Sequence, residues 1–173
     1  MRTGRDLQLR MTLLTAVLIG VLGLGVSVLN TNHNASDIPR TALAQHFQQA
    51  VAALQAKRFA QAEQTLHELL QQAPRLPEAH VNMGYAQLGL GRAKVAADFF
   101  TAAIELRSTQ VNAYYGLAVA LERSGDLRGA LGAMRSYVHL TQADDPYLPK
   151  ARAALWEWET QIAQTGADKK ITP

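Results

Sequence analysis

Five histidines, at positions 33, 46, 67, 80 and 139, are the side chains of this sequence best able to hold a metal or carry a proton at neutral pH. A helical zinc site needs two imidazoles one turn apart on one face, and no His-x-x-x-His pair occurs. His67 adjoins Glu68, which allows a local pair but completes no ligand set. Glu157 and Glu159 stand two apart, so on a helix they face different sides and are badly placed as a carboxylate pair. The Gly-Leu-Gly run at 89 to 91 lacks the lysine and hydroxyl residue of a phosphate loop, and no serine sits in a nucleophile context. Cysteine is absent, which removes thiol catalysis, disulfide frameworks, Cys-ligated zinc, haem attachment and a lipidated N-terminal cysteine. Neither an enzymatic activity nor a cofactor is expected. The chemistry that remains is contact with another protein.

The elements that position such contacts are helical. Aromatic residues make up only 6% of the chain while alanine and leucine recur throughout, a composition that loses little entropy in a helix. A length of 173 residues leaves room for one ordinary domain with an anchor or tails and excludes a large multidomain enzyme. Of the formal net charge of +3, two charges come from Arg2, Arg5 and Arg10 set against Asp6, and from Asp37 onward the chain is nearly neutral. The basicity is therefore a topological signal, and nucleic acid is not an expected partner.

From Met11 to Leu29 the chain reads MTLLTAVLIGVLGLGVSVL, an uncharged run. As a helix it would span about 29 Å, close to the thickness of a hydrocarbon core. A cleaved signal peptide has a shorter apolar region and an Ala-x-Ala-like site; here only Gly25-Val26-Ser27 and Asn34-Ala35-Ser36 are on offer, and cleavage would release a soluble secreted regulator. A buried core helix would show a polar stripe, which this run lacks. It is read as an uncleaved transmembrane anchor. Arginines before it and no Lys or Arg from 30 to 39 keep the N-terminus cytoplasmic. In a bacterium this is a single-pass inner-membrane protein whose remaining chain is periplasmic. The expected order is a basic cytoplasmic tail at 1–10, the anchor at 11–29 and a polar linker at 30–39.

Beyond the linker the chain repeats at a period of 34. Residues 77–110 and 111–144 align with each other and with 43–76, which superposes Ala62, Ala96 and Ala130, then Leu66, Phe100 and Met134. Gly91 falls over Gly125 and His80 over Tyr114. A small residue followed four places later by a large apolar one gives each second helix a thin and a thick point on one face. This pattern resembles the tetratricopeptide repeat (TPR), which has an aromatic in the fourth place, Leu-Gly in the seventh and eighth, Gly near the turn, Ala in the twentieth, an aromatic in the twenty-fourth, Ala in the twenty-seventh and Pro near the end. The middle repeat matches through Met83-Gly84, Gly91, Ala96, Phe100 and Ala103, and the last through Tyr114, Leu117, Gly125 and Ala130, with Tyr137 in place of the later small residue. The first keeps Ala62, Leu66 and Pro74 but has Lys57 where the turn glycine is expected.

The expected fold is therefore all-α: an N-terminal transmembrane helix, a short three-repeat TPR solenoid over 40–144, a capping helix over 145–165 and a flexible tail at 166–173. Helix pairs are predicted at 40–56 with 59–73, 77–89 with 92–107, and 111–123 with 127–140. His80 is expected to fill core, and Gly129 and Gly132 to permit close helix packing. Asp144-Asp145-Pro146 supplies a cap and a helix-starting proline, after which Leu148, Ala151, Leu155, Trp158 and Ile162 form one apolar stripe with Trp156 off it.

The resemblance implies a concave groove lined by first helices. Its columns receive Phe47, Val51, Val81, Asn82, Tyr85, Tyr115, Val119 and Glu122, and Trp156 is a further candidate contact. The family's charged version grips a C-terminal carboxylate with Lys and Arg from these columns; here Asn82 is the only remnant. The implied partner is an apolar or helical segment of a membrane or periplasmic protein, with self-association as another use of the array edge. The implied role is a scaffold or assembly factor for an envelope complex, with a permanent accessory subunit and a chaperone-like adaptor as alternatives.

Overall fold

The computed structural model describes residues 37–168, and the anchor at 11–29 lies outside the described residues. Among the described residues seven helices follow one another: α1 Asp37–Gln55, α2 Phe59–Gln72, α3 Pro77–Gly89, α4 Ala93–Leu106, α5 Val111–Ser124, α6 Leu127–Leu140 and α7 Leu148–Asp168. They form three antiparallel hairpins, α1/α2, α3/α4 and α5/α6, stacked in order and closed by α7 against α6. Among the described residues no helix is long and apolar enough to cross a membrane. The first helix begins at Asp37, inside the stretch read as linker.

The period is written into the turns. Each first helix ends with the same two backbone bonds: Arg58 N–H to Ala53 O (2.8 Å) and Lys57 N–H to Leu54 O (2.9 Å), then Arg92 to Gln87 (2.9 Å) with Gly91 to Leu88 (3.2 Å), then Asp126 to Leu121 (2.9 Å) with Gly125 to Glu122 (3.0 Å). This pairing needs a left-handed residue, found at φ 57° for Lys57, 77° for Gly91 and 88° for Gly125. Lys57 adopts the conformation that its glycine counterparts take freely, at a cost of about 1 kcal/mol.

Packing follows the thin and thick columns. Ala62, Ala96 and Ala130 are fully enclosed, as are Leu66 and Phe100, with Met134 at 2% exposure. The Phe100 ring occupies a slot between α3 and α5: a Cβ added at Gly84 would come within 2.7 Å of it, and one at Gly116 within 2.3 Å. Gly89 admits Phe59 in the same way. Gly129 keeps clear of the Asp126 carboxylate, which accepts its N–H at 2.9 Å and caps α6. Gly132 departs from the packing expectation, because a Cβ there would meet nothing within 4 Å. The fourth-place column works through the loops: His80 Nε2 donates to Pro74 O at 2.8 Å, and the Tyr114 hydroxyl to Ser108 O at 3.0 Å.

The α7 stripe turns inward, with Leu148, Ala151 and Trp158 buried and Leu155 and Ile162 half-buried against the core. The helix starts two residues after Pro146. Asp145 instead closes a turn, its carbonyl accepting Leu148 N–H at 3.1 Å.

Candidate functional site

The nine residues singled out from the sequence divide sharply. Val51, Val81 and Val119 are buried apolar side chains, the last two within the core, and Asn82 is 9% exposed. Phe47 packs half-buried on the core and Glu122 is half-buried in the last turn of α5. Trp156 stands out on α7 at 71% exposure. Only Tyr85 and Tyr115 meet around one space, a cavity of about 550 Å³ between α3, α5, α6 and the two loops that precede α5 and α7.

Tyr115 is the centre of this space. Its ring meets Tyr137 edge-on at 5.1 Å and 65°, and Tyr147 at 6.1 Å and 53°. Tyr85 leans edge-on against Phe100 at 5.0 Å and donates its hydroxyl to the Asn112 carbonyl at 3.2 Å. The Asp145 carboxylate organises the other wall. It accepts the Tyr137 hydroxyl at 2.8 Å and the Tyr147 N–H at 2.7 Å on Oδ1, and the Thr141 hydroxyl at 2.8 Å on Oδ2. On the floor, Gln110 donates to Asn112 Oδ1 at 2.8 Å while Arg107, ion-paired with Glu78, donates to Gln110 at 3.1 Å.

Burial sets the electrostatics. It pushes the Tyr115 phenol up to about 12, helped by Tyr147 and by the charges of Glu122 and Asp145. Tyr85 and Tyr137 are raised too, chiefly by burial, then by neighbouring tyrosines for Tyr85 and by the bond to Asp145 for Tyr137. For Asp145 burial acts upward, but the Tyr147 N–H, the Tyr137 and Thr141 hydroxyls and the Leu148 N–H outweigh it and hold the carboxyl below the usual range. The cavity is thus neutral on its aromatic side and anionic at Asp145.

Asn112 falls in a first-helix groove column, whereas Tyr137, Tyr147, Asp145 and Thr141 are not site residues on the sequence reading. One signal was present: Tyr137 fills the column of Leu69 and Ala103, where a small residue is expected. A second cavity of about 530 Å³ lies on the other face between α2, α3 and α4. Its charged groups answer one another, Arg92 bonding to Glu63 at 2.7 Å and Gln87 to the same oxygen at 2.9 Å. Among the described residues no group of three His, Asp or Glu is placed to hold a metal.

No family model and no curated protein sequence matches the chain. Solved structures do. The Yersinia enterocolitica type III secretion chaperone SycD, in complex with a peptide of the translocator YopD, superposes with a TM-score of 0.66 over 70% of this chain and 95% of its own at 13% identity. The first TPR of Spaghetti (RPAP3), bound to the HSP90 peptide SRMEEVD, gives 0.65 over 71% and 94% at 15% identity. The Sgt2 TPR domain from Aspergillus fumigatus gives 0.65 over 76% and 85% at 19% identity. The fold is tetratricopeptide-like. Within this TPR-like unit, Tyr85 and Tyr115 come from the first helices of the second and third hairpins, so the cavity opens among the first-helix columns and continues onto the loop that leads to the cap.

Proposed function

We propose that this chain is a membrane-anchored adaptor whose TPR-like unit holds a segment of another protein and so serves as scaffold or assembly factor for an envelope complex. In this reading residues 11–29 span a bacterial inner membrane once, the N-terminus is cytoplasmic and the TPR-like unit is periplasmic. The uncharged run and the arginines at 2, 5 and 10 support that topology. The observation that carries the binding role is the tyrosine cavity, whose volume and lining suit one or two side chains of an incoming segment. Large, stiff aromatic rings give contact area at little entropic cost, which is why interfaces favour them. The peptides seated on SycD and on the RPAP3 domain are in keeping with such a role.

The test is gentle detergent extraction of the full-length protein from its own membranes, followed by size analysis and mass-spectrometric identification of what stays bound. Tyr85 and Tyr115 are too deeply packed to serve as clean probes, since alanine there would open the core. Tyr147, half-buried at the cavity wall, is the better position. Tyr147→Ala is expected to reduce retention of the bound protein while leaving the helical circular dichroism unchanged. A partner of fixed stoichiometry makes this a permanent subunit, and a mixed set of weakly held clients makes it a chaperone-like adaptor. A clean monomer, or retention indifferent to Tyr147, would sink the proposal.

A further inference from the structure

The chemistry of the cavity selects a guest. Three hydroxyls of its polar wall spend their hydrogens inward, those of Tyr85, Tyr137 and Thr141 all donating to acceptors of the chain itself. What those oxygens turn towards the cavity is lone pairs. Asp145 Oδ2 accepts one bond and keeps room for a second, and the phenol oxygens of Tyr85 and Tyr137 can still accept. The lining includes two aspartates, Asp144 and Asp145, and no lysine, arginine or histidine. Arg107, outside the lining and bonded to Gln110, is already engaged by Glu78. A ring of tyrosines with one fixed carboxylate, rich in acceptors and without a cation of its own, complements a positively charged donor.

We propose that the tyrosine cavity seats a basic side chain of the partner segment, an arginine above all, with its guanidinium donating to Asp145 and lying against the rings of Tyr115 and Tyr147. The proposal rests on the reading of this face as a protein-binding surface and gives that reading a sign. Arginine fits better than lysine because its planar fork stacks on aromatic rings while still bonding a carboxylate. A carboxylate guest would meet Asp145 and Asp144 with no cation to offset them, so the cavity disfavours acidic chain ends.

The experiment titrates the full-length chain in detergent with capped peptides of the form acetyl-Ala-Leu-Xaa-Leu-Ala-amide, read by calorimetry. Xaa is arginine, its neutral isostere citrulline, or glutamate. The arginine peptide is expected to bind about tenfold more tightly than the citrulline peptide, with the glutamate peptide weakest. Because the substitution is made in the ligand, the comparison holds whatever the protein tolerates. On the protein side, Asp145→Asn keeps acceptors for Tyr137 and the Tyr147 N–H, and it is expected to bring the arginine and citrulline peptides to within about twofold of each other in affinity. Equal binding of arginine and citrulline peptides overturns the basic-guest proposal but leaves a peptide site in place. Absence of binding by all three overturns the basic-guest proposal as well, while retention of a partner through Tyr147 in membranes would still uphold the adaptor reading.

Discussion

The joint between α4 and α5 and the joint between α6 and α7 occupy equivalent places in the repeat, yet they are built in opposite ways. At the first, Ala103 and Ala113 are both fully buried and the next hairpin packs directly on the last. One period later the same two places hold Tyr137 and Tyr147, and Val111 gives way to Asp145. Two small residues bring helices together; two large ones hold them apart and leave a lined space between. A repeat protein can therefore create a site without a new element, by breaking its own pattern at a single joint.

The largest test of this contrast is to write the open joint into the closed one. Ala103→Tyr is expected to destabilise the domain by about 3 kcal/mol, because no space awaits the ring. Urea unfolding checks it, and a loss under about 1 kcal/mol would show that the joint tolerates bulk anywhere. Tyr137→Phe keeps the ring that props the joint and removes only the donor to Asp145. The expected cost is about 1 kcal/mol by the same measurement. Gly132→Ala strengthens α6 at a position open to solvent, so the domain should gain about 0.7 kcal/mol with the cavity untouched.

The smallest effect is on pH dependence. The folded-state carboxyl of Asp145 is depressed, so its contribution to stability is present above the unfolded-state value of about 4 and is lost as pH falls through the lower folded value. Urea midpoints should fall with acidity over that window, and less steeply in Asp145→Asn. An identical slope in both proteins would mean that the hydrogen bonds to Asp145 do not persist in solution.

The regular part of the molecule was legible because its causes are local and recur. Ala62, Ala96 and Ala130 announce a close approach, Phe100 announces what fills it, and Gly91 and Gly125 announce left-handed turns. Lys57 shows the limit of reading types alone: the backbone bonds demand the left-handed residue even where the sequence supplies no glycine. The site was legible only in halves. Tyr85 and Tyr115 followed from their columns, but the wall opposite depends on the path of residues 141–147, which no period dictates. Reading Asp145-Pro146 as the start of a helix hid the turn that aims its carboxylate at Tyr137 and Thr141. Gly132 illustrates the converse error, since a glycine within a helix need not mark a neighbour.

The Phe100 ring, held between glycines of α3 and α5, has a bearing on how the domain comes apart. One side chain is shared by the first helices of two successive hairpins, so neither can loosen without exposing it. The second and third hairpins therefore open as one cooperative unit, and their amide hydrogens should exchange with solvent at a single, slow rate. The helices at the two ends of the described stack, α1 and α7, exchange sooner, fraying towards a middle that a single phenyl ring has pinned.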